Sequence, residues 1–333
     1  MEYPSVDERL QHAYEVAAST YGDREYVTGI DVGYKHVRKA PTETIAIRFH
    51  VVRKIPSPSL DVKEKFPPEI DGVPTDLIEA VYVARAAATP SSGRRKRRDP
   101  IQPGISVSHM RVLSGTLGAV VYDKTSGEAC ILSNWHVLAG SDSAKQGDPI
   151  IQPGSTDQGR RPRDTVAQLG RSVLGPDGDA AIGILNKNRR VREDQFGTGV
   201  VLREARMPVL GEILQKSGRA TGVTSARVDG VGQYTITYSV GRRSVDGFKL
   251  VPVAIGNPGN QEISGEGDSG SVWFCPDTNE AVGLLFAGEV STAPSEEHAL
   301  ACYMPRVLSA LNVSLSPARH ARALGGDDAH DPE

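Results

Sequence analysis

Cysteine is nearly missing from this 333-residue chain: Cys130, Cys275 and Cys302 are an odd number too small for a disulfide framework. A fold stapled by bridges is therefore not expected, and a reducing compartment, the cytoplasm, is. No apolar run reaches the length of a transmembrane helix. The N-terminal stretch MEYPSVDERLQHAYEV carries acidic residues where a secretory signal would be basic and then apolar. Neither sign of charge dominates, with 38 Lys and Arg against 41 Asp and Glu. A net charge of −3 gives no reason to expect nucleic acid or a membrane surface as the main partner. Neither an HExxH pattern nor paired-cysteine spacing occurs, so no metal and no other cofactor is expected.

What is plentiful is turn-forming residues. With 35 Gly, 22 Pro and 38% hydrophobic residues, the composition suits a mainly β protein of many short strands. Val6–Thr20 places Leu10, Tyr14, Val16 and Ala17 at roughly helical spacing behind Ser5, which predicts a short amphipathic helix. Tyr26–Tyr34 and Glu43–Val52 read as paired strands, and Gly72–Val83 as a third, strand-like piece. Residues 1–85 are thus expected to form a small α+β domain. Its role is open between inhibition, substrate recruitment and assembly of a homo-oligomer. Residues 86–103 are small, Pro-rich and basic, with five consecutive basic side chains from Arg94 to Arg98. That composition predicts a solvated linker rather than a nucleic-acid patch, since no aromatic residue interleaves the charges. A processing site there ranks below the linker.

From Ser114 onward strand-and-turn units repeat: a hairpin ending at Asn134, then Thr165–Leu169, Ala180–Leu185, Glu212–Lys216, Tyr234–Val240, Phe248–Ile255, Gly270–Phe274 and Ala281–Ala287. Such spacing predicts a sandwich or barrel over residues 104–313. One helix is expected around Pro305–Leu311, and residues 314–333 read as a disordered tail.

Three short stretches carry chemistry. In Gly265-Glu266-Gly267-Asp268-Ser269-Gly270-Ser271, glycines on both sides of a serine permit backbone angles at which the N–H groups of Gly267 and Ser269 converge as an oxyanion hole. In Ser133-Asn134-Trp135-His136-Val137, a strand ends and a histidine follows, the side chain suited to taking and returning a proton near neutrality. His109 and His298 compete with it. In Gly178-Asp179-Ala180-Ala181-Ile182-Gly183, Asp179 leads into an apolar strand and needs a partner there, whereas Asp177 sits in a Pro-Asp-Gly turn.

The order SNWHV, GDAAIG, GEGDSGSV resembles the trypsin-like (chymotrypsin) superfamily of serine peptidases, and the separations of the three motifs agree with that family. The resemblance implies two six-stranded Greek-key barrels with a cleft between them. It implies a serine endopeptidase acting on a protein or peptide substrate, with Ser269 as nucleophile, His136 as base and Asp179 orienting it. LSNWHVLA, QKSGRATGVT and GLLFAG are similar to a bacterial branch akin to the protease domain of the plant narrow-leaf protein family. By the same resemblance, the specificity pocket is walled by Ile263, Phe286, Ala287 and Gly288. Ile263 would give it an apolar base and a preference for apolar or small residues, unless Glu262 or Glu289 points inward. Two departures stand out: Asn134-Trp135 replaces the usual small residues before the histidine, and the bracing disulfide is absent. A silent scaffold of the same fold and an esterase are the rival expectations.

Overall fold

The computed structural model describes residues 8–37, 40–55, 59, 65–83, 93–253, 262–289 and 297–317. The N-terminal part supplies α1 (Glu8–Tyr21), β1 (Val27–Val37), β2 (Ala40–Val51), β3 (Glu69–Ile70), β4 (Val73–Glu79) and β5 (Tyr82–Val83). Next come β6 (Ser106–His109), β7 (Gly115–Thr116), β8 (Ala119–Asp123), β9 (Ala129–Ser133), α2 (Trp135–Leu138), β10 (Pro149–Ile151), β11 (Thr165–Gly175) and β12 (Gly178–Leu185). Last are β13 (Ile213–Gly218), β14 (Gly222–Tyr238), β15 (Gly241–Pro252), β16 (Val272–Phe274), β17 (Ala281–Glu289), β18 (Ala299–Tyr303), α3 (Met304–Ala310) and β19 (Val313–Ser314).

The mainly β expectation holds, and the strands gather into two bodies. One is an eight-stranded sheet in the order β19-β8-β9-β12-β11-β10-β6-β7. In the other, β13-β16-β17-β18-β15-β14 runs antiparallel and returns on itself through the β13–β14 pairing, a closed six-stranded ring. Closure removes the edges that a Val- and Leu-rich sheet would otherwise expose. The core is continuous across both bodies: Leu132, Val137 and Ile182 of the first share a buried cluster with Val272, Leu284 and Phe286 of the second. Two closed barrels were expected. Among the described residues only the second ring closes, because β7 and β19 end the first sheet without pairing to each other.

The N-terminal part is not clearly separate. β1 pairs antiparallel with the far half of β14, Gly29 opposite Tyr234 through Gly33 opposite Gly230. β2, β4 and β3 then prolong the same sheet. The reason lies in β14, whose 17 residues run past the ring. The join is ionic as well as hydrogen-bonded. Arg48 on β2 grips Asp31 through Nε at 2.6 Å and Nη2 at 2.7 Å, and donates from Nη1 to Asp229 of β14 at 2.8 Å, all three side chains fully or almost fully buried. Burial opposes these charges, and mutual attraction more than offsets it for the two carboxyls, both of which are held below their ordinary value by Arg48.

Part of the expected linker packs into the protein. Arg94 is buried and donates to Gly104 O, Ser217 Oγ and Phe196 O, while its guanidinium and that of Arg98 lie on the Phe196 ring at 4.7 and 4.4 Å. A basic run is solvated by default, but a guanidinium with three acceptors and an aromatic face has what burial requires. Residues 84–92 and 318–333, which include the rest of the linker and most of the expected tail, lie outside the described residues. Among the described residues, no helix is long and apolar enough to cross a membrane.

Candidate active site

β9 ends at Ser133, and α2 lifts His136 off its end. β12 runs antiparallel to β9, Ala181 opposite Ser133, which brings Asp179 at the start of β12 alongside the histidine. Asp179 Oδ2 lies 2.5 Å from His136 Nδ1, and Oδ1 accepts from the His136 backbone N–H at 3.2 Å. A carboxylate only accepts, so the imidazole proton belongs on Nδ1 and Nε2 is left as the acceptor. His136 Nε2 is buried and has no hydrogen-bond partner among the described residues.

Asp179 is held from two further sides. Tyr238, at the end of β14, donates its hydroxyl to Oδ2 at 3.0 Å. Burial, and then the Asp179 charge, push the Tyr238 phenol well above its ordinary pKa, so it stays a donor. Asn134 Nδ2 donates to the Asp179 carbonyl at 2.7 Å, and Trp135 packs edge-on against Tyr238 with centroids 6.2 Å apart. Asn134 thus grips the strand that carries the acid, and Trp135 packs on the tyrosine that holds the acid's side chain. Cys130, where a bridge would have been sought, is a buried thiol pushed up to about 11 by burial.

Ser269 comes from the second body and is 1% exposed. Its carbonyl accepts from Thr116 N–H at 2.8 Å, and Thr116 Oγ1 donates to Gly267 O at 2.9 Å, so the serine loop rests on β7. The serine loop and α2 both crowd Gly115. A methyl group built on Gly115 would meet Val137 Cγ2 at 2.5 Å and Ser269 O at 2.7 Å. Gly270 has φ +91°, and a Cβ there would stand 2.1 Å from Ser133 Oγ and 2.4 Å from Thr116 O, so both angle and space demand glycine. Gly265 to Asp268 closes as a turn through Asp268 N–H to Gly265 O at 3.0 Å, with Gly267 at φ +99° in the third position. That sign at that position marks a type II turn, the arrangement a glycine permits.

Asp268, directly before Ser269, is wholly buried and was not foreseen from the sequence as a site residue. It pairs with Lys216 Nζ at 3.1 Å and accepts from Ala220 N at 2.7 Å, Thr221 Oγ1 at 2.5 Å and Gly265 N at 3.1 Å. Burial works against its charge, but Lys216 and these donors prevail and hold the carboxyl below its ordinary value. Both partners stand in or beside QKSGRATGVT and GEGDSGSV, so their closeness in space was the missing signal.

The other expected residues are placed as follows. Asp177 is exposed. His109 is buried in the first body, where Nε2 lies 3.4 Å from Asp148 and Nδ1 accepts from Arg111 N–H, a satisfied structural group. His298 is half-buried with Nδ1 shielded from solvent, and desolvation, then the Lys249 charge, take its pKa well below the ordinary value. Ile263, Phe286 and Ala287 are buried, and Gly288 pairs with Val83 of β5. Next to Ile263, Ser264 donates from N and Oγ to the Glu297 carboxylate, at 3.4 and 3.5 Å. Glu297 was missed because nothing in its own neighbourhood of sequence marks it.

No protein-family model matches this chain, and no curated protein does. Among solved structures, protease A of Thermobifida fusca is 14% identical, with 66% of this chain and 99% of that one covered and a TM-score of 0.46. A Nocardiopsis protease is 16% identical over 64% of this chain and 97% of its own, TM-score 0.47. A glutamic acid-specific serine protease is 19% identical over 64% and 99%, TM-score 0.46.

Proposed function

We propose that the chain is a serine endopeptidase in which Ser269 Oγ attacks a peptide carbonyl, His136 Nε2 takes the serine proton and returns it to the leaving amine, and Asp179 holds the imidazole. The observation that supports this reading most is the His136–Asp179 pair at 2.5 Å, and the Gly267–Gly270 loop docks separately on β7 through Thr116. Asp179, with its acceptors filled by His136 and Tyr238, fixes the tautomer that leaves Nε2 free to act as base. Catalytic hydrogen bonds in unliganded enzymes are often long and tighten in the substrate complex, which accommodates an Nε2 without a partner at rest. The Gly267 and Ser269 amides would receive the charge that develops on the carbonyl oxygen. Acyl transfer to Ser269 followed by water attack needs no metal or organic cofactor. The bacterial branch akin to the narrow-leaf protease domain stays part of this proposal, supported by LSNWHVLA, QKSGRATGVT and GLLFAG. The test is hydrolysis of an unfolded protein substrate: Ser269→Ala should lower turnover by ~10⁶ while the variant keeps its unfolding midpoint. Equal hydrolysis by both proteins would reject the proposal.

A further inference from the structure

In the sequence the basic run 94–98 stands alone. The folded chain brings two more beside it: 160–163, with Arg160, Arg161 and Arg163, and 187–192, with Lys187, Arg189, Arg190 and Arg192. They meet at a hub of two buried polar side chains, Gln152 and Asp164. Gln152 donates from Nε2 to the Lys96 carbonyl at 2.9 Å, and its Oε1 accepts from Arg98 N–H at 3.0 Å and from Arg189 Nη1 at 2.6 Å. Asp164 faces Arg97 at 3.2 Å, Arg163 at 3.0 Å and Arg189 at 3.4 Å, one cation from each run.

One carboxylate thus serves three guanidiniums. Arg190 pairs with Asp99 at 3.2 Å and Arg192 with Asp194 at 2.6 Å. Lys96, Arg160, Arg161 and Lys187, in the same runs, are exposed. The crowding is unfavourable by itself. Burial, then the Arg97 charge, lowers the Arg189 pKa in spite of Asp164, and the Arg163 charge acts the same way. An anion laid across these cations relieves a repulsion that the unbound protein carries.

The heads of the outer arginines are open to such an anion. The side chains of Arg97, Arg163 and Arg190 are 47%, 68% and 78% exposed. A guanidinium has five donors in a fork, enough to hold its carboxylate and a phosphate oxygen together.

Charge is most of what this face offers. Val191 is the one large hydrophobic side chain exposed in the three runs, and the backbone around it is already bonded, Ile101 N–H to Arg190 O and Arg192 N–H to Ile101 O, both at 2.9 Å. β10, which leads into Gln152, is paired on both sides, with β11 and with β6. The Phe196 ring beside run 94–98 is covered by Arg94 and Arg98. A peptide needs an apolar anchor or an open strand edge to bind tightly, and single-stranded nucleic acid needs aromatic faces on which to stack. A duplex needs neither, since its phosphates supply one charge per about 1.7 Å of axis and the release of their counterions drives binding.

The geometry points to a second binding surface: the face that runs 94–98, 160–163 and 187–192 build around Asp164 holds the phosphate backbone of a nucleic-acid duplex without reading its sequence. This goes beyond the peptidase reading and does not rest on it. The expectation of a solvated linker at 94–98 took that run by itself; with its two neighbours it is part of a basic face on a chain whose net charge is −3.

The test is fluorescence anisotropy of a labelled DNA duplex of about 20 base pairs, titrated with the full chain. Binding should have a Kd of about 10⁻⁶ M at about 50 mM salt and weaken about 10²- to 10³-fold by about 200 mM, as neutralising about five phosphates implies. Two unrelated sequences should bind alike. Arg163→Gln with Arg190→Gln should flatten the log–log salt slope by about 2 and weaken binding about 10²-fold at the low-salt end. Exposed ion pairs hold little stability, so this variant should keep its unfolding midpoint. Arg242→Gln with Arg243→Gln removes the same charge from the β14–β15 hairpin and should bind as the wild type does. No binding at low salt, an affinity indifferent to salt, a strong preference between the two sequences, or equal loss in both double variants overturns the inference. Tighter binding of polyglutamate or of the single strand than of the duplex overturns it as well. None of these outcomes involves Ser269, so the peptidase reading stands or falls separately.

Discussion

Lys216 and Asp268 form an ion pair of 3.1 Å with both side chains wholly buried, one residue before Ser269. The pair ties β13 to the serine loop from inside a single chain, so the loop's shape does not wait on any new chain end. Its value is conditional, because two buried charges stabilise only while each has the other and its hydrogen bonds.

Lys216→Met should therefore strand the Asp268 carboxylate and cost about 3–5 kcal/mol. Denaturant unfolding measures this, and the double variant Lys216→Met with Asp268→Asn should recover part of the loss. An unchanged midpoint in the single variant would show that the pair is not what holds the loop.

The same pair sets an acid limb. The Asp268 carboxyl is held below its ordinary value of 3.8 in the folded chain. A depressed folded value means that its contribution is fully present above 3.8 and is lost as pH falls through the folded value. Wild-type unfolding midpoints should fall on acidification below about pH 4, and Asp268→Asn should fall less steeply over that range. Parallel curves for the two proteins would assign the acid limb to other carboxyls.

Asp179→Asn keeps the shape of the site but removes the acceptor that selects the Nδ1–H tautomer, and should lower kcat about 10⁴-fold with KM little changed. Tyr238→Phe removes one of the donors to the same carboxylate. At a net ~1 kcal/mol per hydrogen bond, it should cost kcat no more than about tenfold. If Tyr238→Phe is as severe as Asp179→Asn, the tyrosine touches the reaction itself.

Arg48 joins β2 to both Asp31 and Asp229. Arg48→Met leaves two buried carboxylates short of a cation and should lower stability by about 3–5 kcal/mol. Removal of residues 1–79 should give insoluble protein, because the open flank of β14 would be exposed. A soluble, active truncation would mean that the hairpin is an independent accessory.

Much of this was legible because it is local. Alternation and turn residues located the strands from Thr165–Gly175 to Ala281–Glu289 to within a few residues at most ends, although β14 begins well before its expected start at Tyr234. His136 and Asp179 were recognisable because each stands at the end of an apolar strand. What was missed depends on partners distant in sequence. Arg48 reads as a charge on a strand's solvent face until Asp229, 181 residues on, is known to lie against it. Tyr82 and Val83 read as the end of one strand with Val73–Glu79, yet they leave β4 and cross to β17. Lys216, Tyr238 and Glu297 carry no local mark, since the groups they meet, Asp268, Asp179 and Ser264, lie far from them in the sequence.

The most direct measurement is the mass of the purified protein after reaction with a fluorophosphonate, followed by mapping of the adduct. The account predicts a single adduct on Ser269 in the wild type and none in His136→Ala at the same pH. Labelling elsewhere, or undiminished labelling of Ser269 without the histidine, would contradict it.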